Sequence, residues 1–132
     1  MRSVIISSVL LVILIIAISI NAYFVNSFST ELLDMIFLLP GEYNYIYSLN
    51  DEEIEALKTE INKIAAKWEK NSVKINLVSK YSDFERTNSS MYALKEYFFS
   101  GYYADYLVAR KRLIAALEKQ KHNELPNLDN IL

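Results

Sequence analysis

SVIISSVLLVILIIAISI, residues 3–20, runs for eighteen residues without a charge, and every other segment has to be placed relative to it. As a helix the run rises about 27 Å, close to the hydrocarbon thickness of a bilayer. Thirteen of its residues are Leu, Ile or Val. Each contributes roughly −0.3 to −0.6 kcal/mol near the bilayer centre, so insertion is favoured by about 4 to 8 kcal/mol. Its four serines can bond the carbonyl one turn back and are tolerated there. Apolar character continues through Ala22, Tyr23, Phe24, Val25 and Phe28, which leaves slack for tilt and puts Tyr23 and Phe24 where an interfacial aromatic belt would lie. A cleavable signal peptide has a shorter apolar region, about 7 to 15 residues, followed by a small-x-small site. The best match here, Ile20-Asn21-Ala22, begins with a bulky residue. Residues 1–25 therefore read as an uncleaved single span, integral in the membrane.

Orientation follows from basic residues. Arg2 and the amino terminus precede the span, and the next Lys or Arg is Lys58, so the positive-inside bias puts the amino terminus in the cytoplasm and the body outside the cell membrane. The body keeps all but Arg2 of the fourteen basic residues against sixteen acidic ones. That excess of acid makes nucleic acid and anionic lipid poor partners for it. There is no cysteine, which excludes disulfides, thiolate chemistry and Cys-ligated zinc. An exported domain of this kind must hold itself by apolar packing, for which ten Tyr, six Phe and one Trp supply large side chains.

Beyond the span, Ser29 or Thr30 can cap a short juxtamembrane helix that Pro40-Gly41 ends, and its Leu32, Leu33, Ile36, Phe37, Leu38 and Leu39 are too many apolar residues for one exposed stripe. That piece is either buried in the domain or lies on the membrane. Tyr43, Tyr45 and Tyr47 alternate as in a strand, and with no pairing partner they read as an extended, tyrosine-rich connection. Residues 26–50 form this juxtamembrane unit, and residues 51–132 form the bundle with a C-terminal tail.

Asn50 is a strong N-cap with Glu53 as its reciprocal partner, so a helix begins at Asp51 and carries Leu57, Ile61, Ile64, Ala65 and Trp68 on one face. Asn71-Ser72 offers a break. A long helix over 73–99 then follows, with Leu77, Tyr81, Phe84, Asn88, Met91, Leu94 or Lys95, and Phe98 in its stripe and a kink or short break at Asn88-Ser89-Ser90. Gly101 caps it. A last helix carries Tyr103, Tyr106, Leu107, Leu113, Ile114 and Leu117 to about Lys121, and Pro126 stops it, leaving Leu125, Leu128, Ile131 and Leu132 to tuck against the bundle. Short connections make neighbours antiparallel, so the fold class is all-α: a transmembrane helix, a short helix and an antiparallel three-helix bundle.

The chain resembles a family of small single-pass helical proteins from spore-forming Gram-positive bacteria, which carry domain of unknown function 4363. The likeness rests on the lysine-rich helix ending in Lys67-Trp68, on Leu94-Lys95-x-Tyr97, on the Leu113-containing last helix, and on Leu125-x-x-Leu128-x-Asn130-Ile131-Leu132. Many members show a histidine with acidic residues midway along the long helix. Here Lys80-Tyr81-Ser82-Asp83-Phe84-Glu85 stands instead. The resemblance implies location and architecture and carries no activity with it.

Signatures of chemistry are sparse. His122 and Glu124 fall short of the three or four converging ligands a metal needs, so His122 reads as a solvated helix end. Asp83 and Glu85 point about 200° apart on a helix and read as surface residues. Phosphate loops, nucleophile elbows and zinc-helix motifs are absent from the sequence. The expectation is a non-enzyme without cofactor. Tyrosine is the unusual feature: Tyr97, Tyr102, Tyr103 and Tyr106 crowd the turn at Gly101, with Tyr43, Tyr45 and Tyr47 in the earlier connection. Core packing accounts for most of these, but adjacent Tyr102 and Tyr103 cannot both face one core, and the periodic partners of Tyr103 put it inward. Tyr102, Tyr97, Tyr43, Tyr45 and Tyr47 are thus candidate contact residues. They would serve a protein partner of an anchored interaction module, accessory to a multi-span membrane protein, or else a pocket for an envelope small molecule or glycan.

Overall fold

The computed structural model describes residues 1–123. They form five helices: α1 (Arg2–Phe37), α2 (Tyr43–Tyr47), α3 (Asp51–Val78), α4 (Tyr81–Phe99) and α5 (Tyr103–Asn123). The tail from Leu125 to Leu132, expected to pack on the bundle, lies outside the described residues, as does Glu124.

The all-helical class holds, but the bundle has four long helices rather than three. Its extra member is the second half of α1. The anchor and the expected juxtamembrane helix are one uninterrupted helix of 36 residues. Ser29 and Thr30 do not cap anything: Thr30 Oγ1 donates to the Asn26 carbonyl at 2.8 Å, and Ser29 is buried against α5. The stretch from Arg2 to Leu39 also has no Gly or Pro to break it. Most of the apolar excess noted after residue 31 goes into the core, where Leu32, Leu33, Ile36 and Leu39 are buried with Val25 and Phe28, while Phe37 and Leu38 stay exposed.

The same chemistry removes the break expected at Asn71-Ser72. Asn71 Nδ2 donates to the Lys67 carbonyl and Ser72 Oγ to the Glu69 carbonyl, each at 2.9 Å, so α3 continues to Val78. Ser89 bonds back to Glu85 in the same way, and α4 carries no break at 88–90. Helices so satisfied lose the competition that makes Ser and Asn breakers elsewhere. The real break comes at Ser79-Lys80, both in extended conformation. It shifts the phase of the stripe, so Leu77 and Tyr81, expected inside, are 79% and 70% exposed. The buried line of α4 is instead Asp83, Thr87, Ser90, Met91, Leu94 and Phe98.

Two start and stop signals act as read. Asn50 Oδ1 accepts from the Glu53 amide at 2.8 Å while Glu53 Oε1 accepts from the Asn50 amide at 3.2 Å. Gly101, at φ 79°, ends α4 in a left-handed residue, with Tyr102 N–H bonding the Tyr97 carbonyl and Gly101 N–H the Phe98 carbonyl. The expected extended connection is a helical turn. Tyr43 and Tyr47, one turn apart, pack ring on ring at 4.6 Å, and Ile46 is the buried residue between them. Alternation at a period of two was incidental here, because the buried Ile46 fixes the turn.

The long helices are arranged antiparallel in a ring, α1 against α3 and α5, and α4 against α3 and α5. Trp68 is central. It is 1% exposed, stacks between Phe28 and Phe84 with centroids at 6.2 and 5.6 Å, and donates from Nε1 to Asn88 Oδ1 at 2.9 Å. Lys67, beside it, pairs with Glu31 at the partly exposed α1–α3 edge. Trp68→Ala is expected to lower stability by about 3 to 5 kcal/mol and Lys67→Ala by at most about 1 kcal/mol. Thermal melts of the full chain in detergent check this, and equal losses would contradict the central position of Trp68.

Candidate functional site

The first 20 residues of α1 have no packing partner to speak of: all are exposed but Ile18, which is half-covered. This single helix is long and apolar enough to cross a membrane. The bundle begins at Ala22 and ends, some 21 Å further along the axis, near Ile36. Its far end carries the α1–α2 turn, α2, and the α4–α5 turn.

That end is locked by Tyr106. The residue is fully buried, sits at 5.0 Å from the Phe98 ring, and its hydroxyl donates to the Pro40 carbonyl at 2.9 Å. Gly41 lies next to it, and a Cβ there would stand 3.2 Å from Nη1 of Arg110, which places that guanidinium against the α1–α2 turn. Tyr103 is half-buried between Phe98 and Tyr47, at 5.4 Å from each ring. It joins α2 to the core, in the inward position expected of it.

The five candidate contact residues are all exposed. Tyr43, Tyr45, Tyr47 and Tyr102 gather at the far end, with 46 to 62% of their surface open, and Tyr97 lies lower on α4 at 38%. They do not converge on one cavity. Tyr45 alone lines an opening of about 320 Å³ with Leu38, Pro40, Leu49, Leu57 and Glu60. Tyr97 borders a separate polar groove of about 360 Å³ with Ser90, Asp105 and Arg112 between α4 and α5. The Tyr43 phenol is held above its ordinary pKa, first by its side-chain hydrogen bond with Tyr47. The segment that carries three of these rings is acidic, with Glu42, Asp51, Glu52, Glu53, Glu55 and Glu60 against Lys58 between residues 38 and 60, while Arg110 reaches in from α5 beside Gly41.

Sequence reasoning missed a polar seam in the lower core. Gln120 Nε2 donates to Ser29 Oγ and Thr87 Oγ1 donates to Gln120 Oε1, each at 3.2 Å, tying α1, α4 and α5 together. Asp83, read as a surface residue, is 3% exposed, with Lys119 Nζ at 3.7 Å. Its signal was available, since Asp83, Thr87 and Ser90 recur at helical spacing ahead of Leu94, but the misplaced break hid that phase. Glu85 is exposed, so the two carboxylates do not share a site. His122 is exposed at the end of α5, and among the described residues no group of three acidic or histidine side chains could hold a metal.

The geometry defines an all-helical bundle built on the continuation of a long apolar helix, with an aromatic, acidic far end. No family model, curated protein or solved structure matches the chain.

Burial raises the pKa of Tyr106 from 10 to about 12, opposed by the Arg110 cation. A raised phenol stabilises the fold in full below the unfolded value and loses that contribution as pH climbs through the folded one. Tyr106→Phe is expected to cost about 1 kcal/mol at neutral pH through the lost bond to Pro40. Its melting temperature should also fall less steeply than that of the parent between pH 10 and 12. Parallel slopes for the two proteins would contradict a buried, titrating Tyr106.

Proposed function

We propose that the protein is a membrane-anchored, non-catalytic interaction module, held by one span with its bundle outside the cell, that docks a protein partner through its tyrosine-rich end. The observation that carries this reading is the cluster Tyr43, Tyr45, Tyr47 and Tyr102, exposed together at the end of the bundle farthest from the apolar span. Tyrosine combines a large apolar face with a polar tip and loses little side-chain freedom on contact, which suits it to protein surfaces. The rings are spread over an end of the bundle and do not line one pocket. That arrangement fits a protein surface better than a small molecule or glycan. The acidic residues around them favour a partner with basic groups opposite. A multi-span membrane protein is a fitting partner, since both would be confined to the same bilayer. The resemblance to single-pass helical proteins of Gram-positive spore formers agrees with this location.

Two measurements test the reading. Protease added to intact spheroplasts should remove the bundle and leave the amino-terminal segment, whereas full protection would contradict the outward orientation. In crosslinking and pull-down of the full chain from membranes, Tyr102→Ala should weaken capture of the recovered partner roughly fivefold or more, with the melting temperature nearly unchanged. Tyr103→Ala should do the reverse, lowering stability through loss of the Phe98 and Tyr47 contacts. Undiminished capture by Tyr102→Ala would remove the aromatic end as the contact surface.

A further inference from the structure

The lower end of the bundle has apolar side chains facing outward where the core has no use for them. Val73, Leu77 and Tyr81, around the α3–α4 corner, are 69, 79 and 70% exposed, and Tyr23 on α1 is 75% exposed. Their height relative to the apolar span follows from the antiparallel register. Lys67 pairs with Glu31, and seven residues further down α3 the Lys74 ammonium lies 5.6 Å from the Phe24 ring, seven residues back along α1. Carried on by three residues, the same register sets Leu77 beside Asn21. The half-covered Ile18, one turn below Ala22 on the bundle face, agrees that the corner reaches that far. On the other side, Thr87 is joined through Gln120 to Ser29, which sets Tyr81 level with Tyr23. A hydrocarbon layer of about 30 Å takes some 20 helical residues. Counted from Arg2, it ends at about Ala22, the level of the corner.

Charge is sorted the same way. Residues 70–82, KNSVKINLVSKYS, hold Lys70, Lys74 and Lys80 and no acid, whereas residues 51–60 at the other end of α3 hold five acids and one lysine. The acidic net charge of the body, which argues against anionic lipid, averages over these two ends and does not describe the lower one. Helix-dipole preference accounts for acids at the start of α3, but not for exposed Val73 and Leu77. A bilayer interface matches every part of the pattern: aliphatic side chains at the acyl boundary, tyrosines at the headgroups, lysines against lipid phosphates.

We propose that the α3–α4 corner, through Val73, Leu77, Tyr81 and the three lysines, seats on the outer headgroup layer of the membrane and prefers anionic lipid. The inference rests on the reading of α1 as a span. The absence of Gly and Pro through the length of α1 makes the seat a fixed one, since the bundle has no hinge on which to swing clear.

The chain has no cysteine, so single thiols can be introduced cleanly. Full-length Leu77→Cys, Val12→Cys and Tyr47→Cys proteins, labelled with an environment-sensitive fluorophore, are reconstituted into phosphatidylcholine vesicles with or without phosphatidylglycerol. Nitroxide quenchers are placed just below the headgroups or deep in the acyl layer. The expected result is quenching at Leu77 by the shallow nitroxide, at Val12 by the deep one, and none at Tyr47. Phosphatidylglycerol should raise the Leu77 quenching roughly twofold, and Lys70→Gln/Lys74→Gln/Lys80→Gln should abolish that gain. Quenching at Val12 without quenching at Leu77 overturns the seat while leaving the span intact, and quenching at neither overturns both. Blue-shifted Leu77 emission that no lipid quencher reaches would assign the corner to a second copy of the chain instead. Equal Leu77 quenching in the two lipids would overturn the anionic preference.

Discussion

The bundle lacks a complete core without α1. Val25, Phe28, Leu32, Leu33 and Ile36 form one wall of it, and Trp68, the largest buried side chain, stacks directly on Phe28. The helix that is apolar enough to cross a bilayer therefore also closes the domain, and the two roles are joined by continuous backbone hydrogen bonding rather than by a linker. A fragment cut after residue 25 would lose Ala22 and Val25 from the packed face of α1. Full burial of a side chain such as Val25 is worth about 1.5 to 3 kcal/mol, a large share of the stability of so small a domain.

Apolar packing alone would let four such helices slide by a turn. The polar seam through Ser29, Gln120 and Thr87, with Asp83 and Lys119 beside it, discriminates among registers, because a slip would leave buried donors and acceptors without partners at about 1 to 3 kcal/mol apiece. At the other end Tyr106 does the same for the connection, fixing Pro40 against α5. The register so set determines which residues share a level, and so brings Leu77 and Tyr81 to the height of Tyr23.

The two ends of the bundle differ in kind. The far end joins exposed tyrosines to acidic side chains and faces away from the span, while the near end joins aliphatic residues to lysines at the height where the span stops. On the proposed reading, one surface serves a protein and the other a lipid headgroup layer. On that reading, the unbroken α1 between them would hold the tyrosines at a set height above the bilayer.

Much of this was legible in the residues. The uncharged run, the capping box at Asn50 and Glu53, the Gly101 turn and the Ile61–Ile64–Trp68 stripe are local signals, each acting within about one turn of helix, and local physics suffices to read them. The inward Tyr103 and outward Tyr102 followed from their adjacency together with the helical-period partners of Tyr103. Helix ends at Ser29-Thr30, Asn71-Ser72 and Asn88-Ser90 were misjudged because a polar side chain can either compete with a helix or bond back into it, and the choice depends on what packs around it. The break at Ser79-Lys80 has no side-chain cap, Gly or Pro to mark it in the sequence. Composition and spacing thus determined an apolar helix, amphipathic partners and a surplus of tyrosine. Only the tertiary structure decided that the first helix is also the fourth wall of the bundle, that Asp83 is buried, and that Leu77 and Tyr81 face out together, because each depends on register between helices distant in sequence.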